Sequence, residues 1–206
     1  GQAQDRSGKM RTGILGGTFN PPHLGHLHAA QLAHDALKLD RVLFIPTNIP
    51  PHKTLPQNTA SPEARCEMVH LLTADTPWAQ LDTIEIDRGG ASYTVDTLRA
   101  LHERGEDDLH LIIGTDMLLS FDKIWRAPDE IARLAALSVC ARENEDWDAL
   151  ERKAELLRET LGATVELVRG DSLTISSTEL RRGGDLHRFT APAVADYIER
   201  EHLYGF

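Results

Sequence analysis

Two imidazoles stand three residues apart, at His23 and His26, in the stretch GGTFNPPHLGH that fills positions 16–26. That spacing puts them on one face of a helix beginning near Leu24. Each ring can donate a hydrogen bond, more strongly when protonated. Ahead of them, Gly16 and Gly17 leave the backbone bare for close approach by a ligand. The start of the following helix points N–H groups at the same place, and those groups suit phosphate. Pro21 and Pro22 stiffen the turn in between. Together these features suit charge that develops on a phosphoryl group. Structural zinc on His23, His26 and His28 is the rival reading, but offsets of three and five do not bring all three onto one face, and no acidic residue stands beside them.

A second stretch, ISSTELR at 175–181, brings hydroxyls and arginines. Ser176 reads as a helix N-cap, with Glu179 completing a capping box. Arg181 and Arg182 follow, and Gly183-Gly184 stops the helix. Cations near a helix start oppose its dipole, and an anion held by Ser177, Thr178 and Arg181 would remove the conflict. The plainer alternative puts the arginines at the far end of a very short helix. Spacing alone leaves both open.

The intervening chain must bring these stretches to one place. RTGIL (11–15) reads as a short buried strand weakened by Gly13, and Leu24–Lys38 as a helix with Leu27, Ala30, Ala33 or His34, and Leu37 on one side. RVLFIP (41–46) completes a βαβ unit. A polar loop with four prolines spans 47–62, and a helix capped by Ser61 follows from Pro62 to Ala74. Then come a strand over 79–87, a turn over 88–94, a helix from Val95 to Arg104 and a buried strand over 109–116. The segment 131–142 holds a helix end and a strand, Asp146–Leu161 a helix ended by Gly162, and 164–170 a strand. A short helix over 175–185 and a last one from about Pro192 to Arg200 close the chain. Strands alternate with helices, so the fold class is α/β with a mostly parallel sheet and helices on both faces. Residues 10–206 read as one domain ending in a small helical part, and the polar residues 1–9 as either a tail or an expression remnant outside the fold.

Bulk properties narrow the function. With 206 residues the chain can bury a core without disulfides. Its net charge of −10 argues against a general nucleic-acid binder, while local arginines still allow an anionic substrate. Cys66 and Cys140 lack metal or redox spacing and read as free thiols. No stretch approaches the roughly 18 apolar residues of a membrane span, so a cytoplasmic location away from any membrane is expected.

GGTFNPPHLGH and ISSTELR together resemble the HxGH and ISSTxxR motifs of the nucleotidyltransferase superfamily. IPPHK (49–53), SYTVDTL (92–98) and IIGTDM (112–117) narrow the resemblance to the bacterial nicotinate-nucleotide adenylyltransferases. It runs from Met10 to the C-terminus. The resemblance implies a Rossmann-like fold and adenylyl transfer from ATP to nicotinate mononucleotide, giving deamido-NAD and pyrophosphate, with magnesium (Mg2+) accompanying ATP. It implies that Gly16, Gly17, Thr18 and Phe19 border the junction of the two nucleotides, and that His23 and His26 contact ATP phosphates. Ser177, Thr178 and Arg181 would hold the triphosphate, and Gly114 and Asp116 would line the nucleotide cleft. His52 and Lys53 would meet the mononucleotide phosphate, with Tyr93, Thr94 and Trp125 around the nicotinate ring. Trp125 lies eleven residues after Gly114, one more than the family's usual tryptophan, and the CARENEDW stretch lacks the proline-glycine that often follows the position of Arg142. Three other readings stand beside this one: transfer to another phosphorylated acceptor such as phosphopantetheine, transfer to nicotinamide mononucleotide, and a non-catalytic nucleotide sensor. Whether the chain forms a homo-oligomer is left open.

Overall fold

The computed structural model describes residues 9–171 and 173–206. The tail read at 1–9 lies outside them except for Lys9. Six strands form one sheet in the order β3-β2-β1-β4-β5-β6. They are β1 (Arg11–Gly17), β2 (Arg41–Pro46), β3 (Ala79–Leu81), β4 (Asp108–Ile113), β5 (Ala136–Ala141) and β6 (Val165–Arg169). The pairs β1–β4, β4–β5 and β5–β6 run parallel. Helices alternate with them: α1 (Leu24–Leu37), α2 (Pro62–Thr73), α3 (Ile84–Arg88), α4 (Thr94–Glu103), α5 (Thr115–Leu119), α6 (Phe121–Ile124), α7 (Pro128–Leu134), α8 (Trp147–Leu161), α9 (Ser177–Arg181), α10 (Leu186–Phe189) and α11 (Pro192–Arg200). This is the α/β fold that the alternation predicts, and it is Rossmann-like as the resemblance implies. The strand order reverses at β1, which pairs with β4 after the chain has passed out through β2 and β3. Open α/β sheets bind ligands beyond the strand ends at such a reversal.

The chain divides into two compact units. The first comprises the described residues of Gly1–Leu15, Ala30–Val42 and Tyr93–Ser172. Its strands β4 and β5 are buried along most of their length, as parallel strands covered on both faces must be. Gly13 is explained here by packing: a Cβ on it would meet Leu39 Cδ1 at 2.7 Å. α8 starts on Asp146, whose side chain accepts from Ala149 N, and ends on Gly162 at φ 64. The second unit comprises Gly16–Ala29, Leu43–Ser92 and the described residues of Leu173–Phe206. Its core joins α2, α9 and α11 through Met68, Leu72, Leu180, Val194 and Ile198. Ser61 caps α2 by accepting from Ala64 N at 3.1 Å, as predicted.

Three expectations fail. The strand read over 109–116 stops at Ile113, and Thr115 and Asp116 already belong to α5. The strand read over 79–87 stops at Leu81, and α3 begins three residues later. Asp82 Oδ1 accepts from Ile84 N at 3.1 Å, so this carboxylate turns the chain where the alternating pattern would continue. The helix read over 175–185 covers only Ser177–Arg181. Gly183 at φ 100 breaks it, and Asp185 caps the separate helix α10 by accepting from Arg188 N.

Buried in β4, His110 bridges two carboxylates in the first unit. Its Nδ1 lies 2.8 Å from Glu166 Oε1, and its Nε2 lies 2.8 Å from Asp108 Oδ1. Ser138 Oγ also donates to Glu166 Oε1, at 3.0 Å. A ring with an acceptor at each nitrogen is best satisfied as an imidazolium. Burial works against that charge, but the hydrogen bond and charge of Glu166, then Asp108, outweigh it and raise the pKa of His110. The stabilisation is therefore complete below about 6.5 and is lost as pH rises through the folded value. In urea unfolding, the advantage of wild type over His110→Gln should shrink steadily from pH 6 to pH 9. A constant difference would show that the ring is neutral throughout.

Candidate active site

The loop after β1 has a backbone that few side chains accept. Phe19 sits at φ 53 and is 2% exposed, and the Asn20–Pro21 bond is cis. A left-handed aromatic residue costs of order 1–3 kcal/mol and persists only where its surroundings over-determine it. Here the surroundings hold the carbonyls. Arg65 Nη1 donates to Thr18 O at 2.9 Å, and Arg181 Nη1 to Asn20 O at 2.7 Å. Ser177 Oγ donates to Pro21 O at 2.8 Å, and Thr190 Oγ1 to Pro22 O at 2.9 Å. The Phe19 ring is itself wedged edge-on against His26, with centroids 4.9 Å apart.

The two histidines are stacked, with ring centroids 3.8 Å apart. His23 N donates to His26 Nδ1 at 3.0 Å, and Gly25 N donates to His23 Nδ1 at 3.1 Å. A ring nitrogen that accepts from an amide carries no proton, so each neutral ring keeps its hydrogen on Nε2. Burial pushes the pKa of His23 down to about 4. Burial, then the neighbouring His23, holds His26 well below the usual histidine value. Of the two forms the sequence allows, the hydrogen bonds and burial favour the neutral one, with the remaining hydrogen on Nε2. The glycine between the histidines has a reason as well. A Cβ on Gly25 would stand 2.9 Å from the His23 ring and 3.1 Å from Leu173 O. His28 points to a different partner, with Nδ1 accepting from Leu173 N at 3.2 Å. Among the described residues, no three His, Cys, Asp or Glu side chains gather as a metal cage.

The second stretch meets the first through contacts spanning more than 150 positions. Ser176 caps α9 by accepting from Glu179 N at 3.3 Å. Arg181 is the last residue of this five-residue helix, so its charge suits the dipole instead of opposing it. Besides Asn20 O, its guanidinium reaches Thr178 Oγ1 at 3.3 Å. The hydrogen of Ser177 is already given to Pro21 O.

Sequence reading missed the residues that hold this arrangement from behind. Arg65, 1% exposed on α2, donates from Nε to Ala60 O at 3.2 Å and from Nη1 to Thr47 O at 2.6 Å as well as to Thr18 O. Asn20, 3% exposed, accepts on Oδ1 from Ala60 N at 3.1 Å and from the Tyr204 hydroxyl at 2.6 Å, and donates to Thr59 Oγ1 at 3.3 Å. No spacing signals these partners. An arginine on the buried side of a predicted helix is the one hint the sequence offers.

His52 and Lys53 are exposed on the loop after β2. That loop is tied to the glycine turn before α4: Asn48 N donates to Ser92 Oγ at 2.9 Å, Asn48 Nδ2 to Gly90 O at 2.9 Å, and Ser92 N to Ile49 O at 2.8 Å. In the first unit, Gly114 is the N-cap of α5 and Asp116 lies exposed in its first turn. Thr94 opens α4, and the Arg126 guanidinium lies 4.5 Å over the Tyr93 ring. Trp125 ends α6, with its ring 5.6 Å from that of Phe121.

Two outcomes test this site. Unfolded chains take up a proton near pH 6.5 that folded His23 refuses down to about 4, so stability is complete above 6.5 and falls as pH drops through that window. From pH 7 to pH 5 the wild type should lose about 2 kcal/mol more than His23→Asn in urea unfolding. Parallel losses would mean that the ring titrates normally. Arg65→Met strips a charged donor from three carbonyls and should cost roughly 3 kcal/mol in the same assay. A cost below about 1 kcal/mol would show that the carbonyls find other partners.

A family model described as cytidylyltransferase-like matches residues 14–183, a span that takes in both the histidine loop and the ISST helix. A protein of Roseiflexus sp. (strain RS-1), described as a probable nicotinate-nucleotide adenylyltransferase, is 42% identical over 196 residues, covering 93% of this chain and 96% of its own. One from Trichlorobacter lovleyi with the same description is 39% identical over 213 residues, covering 95% and 99%. The solved structure of Plasmodium falciparum nicotinic acid mononucleotide adenylyltransferase complexed with NaAD shares the fold, with a TM-score of 0.75 at 17% identity over 95% of this chain and 97% of that one. A stacked histidine pair, the ISST helix bonded to its loop and identity along nearly the whole chain lead to one conclusion: the chain belongs to the nicotinate-nucleotide adenylyltransferase family, within the cytidylyltransferase-like proteins.

Proposed function

We propose that this protein transfers the adenylyl group of ATP to nicotinate mononucleotide, forming deamido-NAD and pyrophosphate in NAD biosynthesis. The observation that carries the reading is local to the second unit. Two neutral imidazoles with Nε2–H groups, and an arginine from a distant helix, belong to one pinned loop. Neutral donors suit a reaction whose nucleophile is already an anion, because no strong base is needed. The mononucleotide phosphate attacks the α-phosphorus in line and pyrophosphate leaves. The protein aligns the two and stabilises the charge that builds up between them.

In this reading His23 and His26 donate to phosphate oxygens of ATP. Arg181 and Thr178 contact the triphosphate, Ser177 meets it through its backbone N–H at the start of α9 while its hydroxyl stays on Pro21 O, and the Arg181 fork keeps donors beyond those given to Asn20 and Thr178. Gly16, Gly17, Thr18 and Phe19 border the reacting junction, with Gly114 and Asp116 along the nucleotide. His52 and Lys53 serve the mononucleotide phosphate. Tyr93, Thr94 and Trp125 serve the nicotinate ring, where Arg126 over Tyr93 adds positive charge fit for a carboxylate. Magnesium enters as part of the substrate, bound to ATP phosphate oxygens. Cys66 and Cys140, held as thiols and not in a disulfide, suit the reducing cytoplasm.

Pyrophosphate release, measured with ATP and each acceptor in turn, tests the assignment. Nicotinate mononucleotide should turn over well ahead of nicotinamide mononucleotide and phosphopantetheine. Faster release with either of the others would overturn it, and tight ATP binding without release would indicate a sensor. His23→Ala and His26→Ala should each lower kcat by roughly 10²–10³. Lys53→Ala should mainly raise the mononucleotide KM.

A further inference from the structure

The C-terminal turn of the second unit reaches back to the histidine loop through a single hydroxyl. Residues 203–205 form a 3-10 turn in which Tyr204 stands at φ 58 and ψ 20. His202, just before it, is also left-handed at φ 53. Neither residue is a glycine, so both conformations are disfavoured unless the surroundings enforce them. The turn is closed by Phe206 N donating to Leu203 O and by a 3.1 Å contact between His202 Nδ1 and Phe206 O. Leu203, Tyr204 and Phe206 pack on the cluster built from α2, α9, α10 and α11. The strained residue is thus aimed, and what it is aimed at is Asn20 Oδ1, 2.6 Å away.

We infer that Tyr204 is a positioning residue for adenylyl transfer, acting through Asn20 on Arg181. The inference rests on the reading of Arg181 as a triphosphate contact. The Asn20 side chain is held at both ends: two donors meet Oδ1, and Nδ2 gives one hydrogen to Thr59. Its backbone carbonyl, on the same residue, takes the Arg181 guanidinium at 2.7 Å. An amide held at both ends fixes how the Asn20 peptide is turned, and hence where the carbonyl holds the guanidinium plane. Burial raises the pKa of the Tyr204 phenol, with the nearby Arg181 and Arg65 charges opposing that rise. The hydroxyl therefore stays protonated and remains a donor. Deleting it does not orphan Oδ1, because Ala60 N still donates there. What is lost is the second restraint on direction, a loss that bears on reacting geometry more than on folding.

Tyr204→Phe removes that hydroxyl and keeps the ring in its packing. It should weaken ATP binding several-fold by titration calorimetry and lower kcat about ten-fold, with the mononucleotide KM unchanged. Tyr197→Phe, on the same apolar cluster, is the control and should match wild type in both. In an Arg181→Ala background the effect of Tyr204→Phe should largely vanish, because the route runs through that guanidinium. ATP affinity of Tyr204→Phe within two-fold of wild type overturns the inference, as does an undiminished effect in the Arg181→Ala background. Both overturning results are read from ATP binding by calorimetry, without turnover, so they decide the matter even if the wild type fails to use nicotinate mononucleotide, a failure that would count only against the proposed reaction.

Discussion

Much of the second unit depends on where five carbonyl groups point. Thr18, Asn20, Pro21 and Pro22, together with Thr47 at the end of the neighbouring strand, each receive a hydrogen bond from a side chain of α2, α9 or the segment before α11. Two of the five are prolines, which bring no N–H to a backbone ladder. Side chains do the work that a sheet or helix does elsewhere. The outcome is a loop that holds an aromatic residue at positive φ and sets the next helix in place.

From that constraint the chemistry of the histidines follows. Once α1 starts where it does, the amides of His23 and Gly25 have no helical acceptor and turn to the two Nδ1 atoms. Capping the helix start therefore chooses the tautomer. It also explains Gly25, since any side chain there would displace the ring that caps. The spacing of two histidines around a glycine thus serves the start of this helix.

Charge is arranged differently in the two units. In the second, Arg65 is buried against backbone carbonyls and no carboxylate meets its guanidinium among the described contacts. A buried cation of this kind leaves a positive potential that an anionic ligand can meet. In the first, His110 lies between Asp108 and Glu166, and its charge is balanced within the sheet. One arrangement suits binding of phosphate, the other suits holding strands together.

Most of the fold was legible from the chain alone, because strands such as 41–46 and helices such as 62–73 and 147–161 announce themselves by local period, caps and glycines. Caps at Ser61, Asp146 and Ser176 are short-range events, and short-range chemistry is readable. The pattern misled where a side chain intervened locally, as Asp82 did in ending β3. The two candidate stretches could be identified by residue type, but not how they meet. That Ser177 and Arg181 bond to the loop, that the imidazoles are neutral, and that Arg65, Asn20 and Tyr204 support them was decided by tertiary structure. Burial sets the protonation of each ring, and the partners of a buried polar atom are chosen by proximity in space. Asn20 and Tyr204, 184 positions apart, leave no trace of their bond in the order of residues between them.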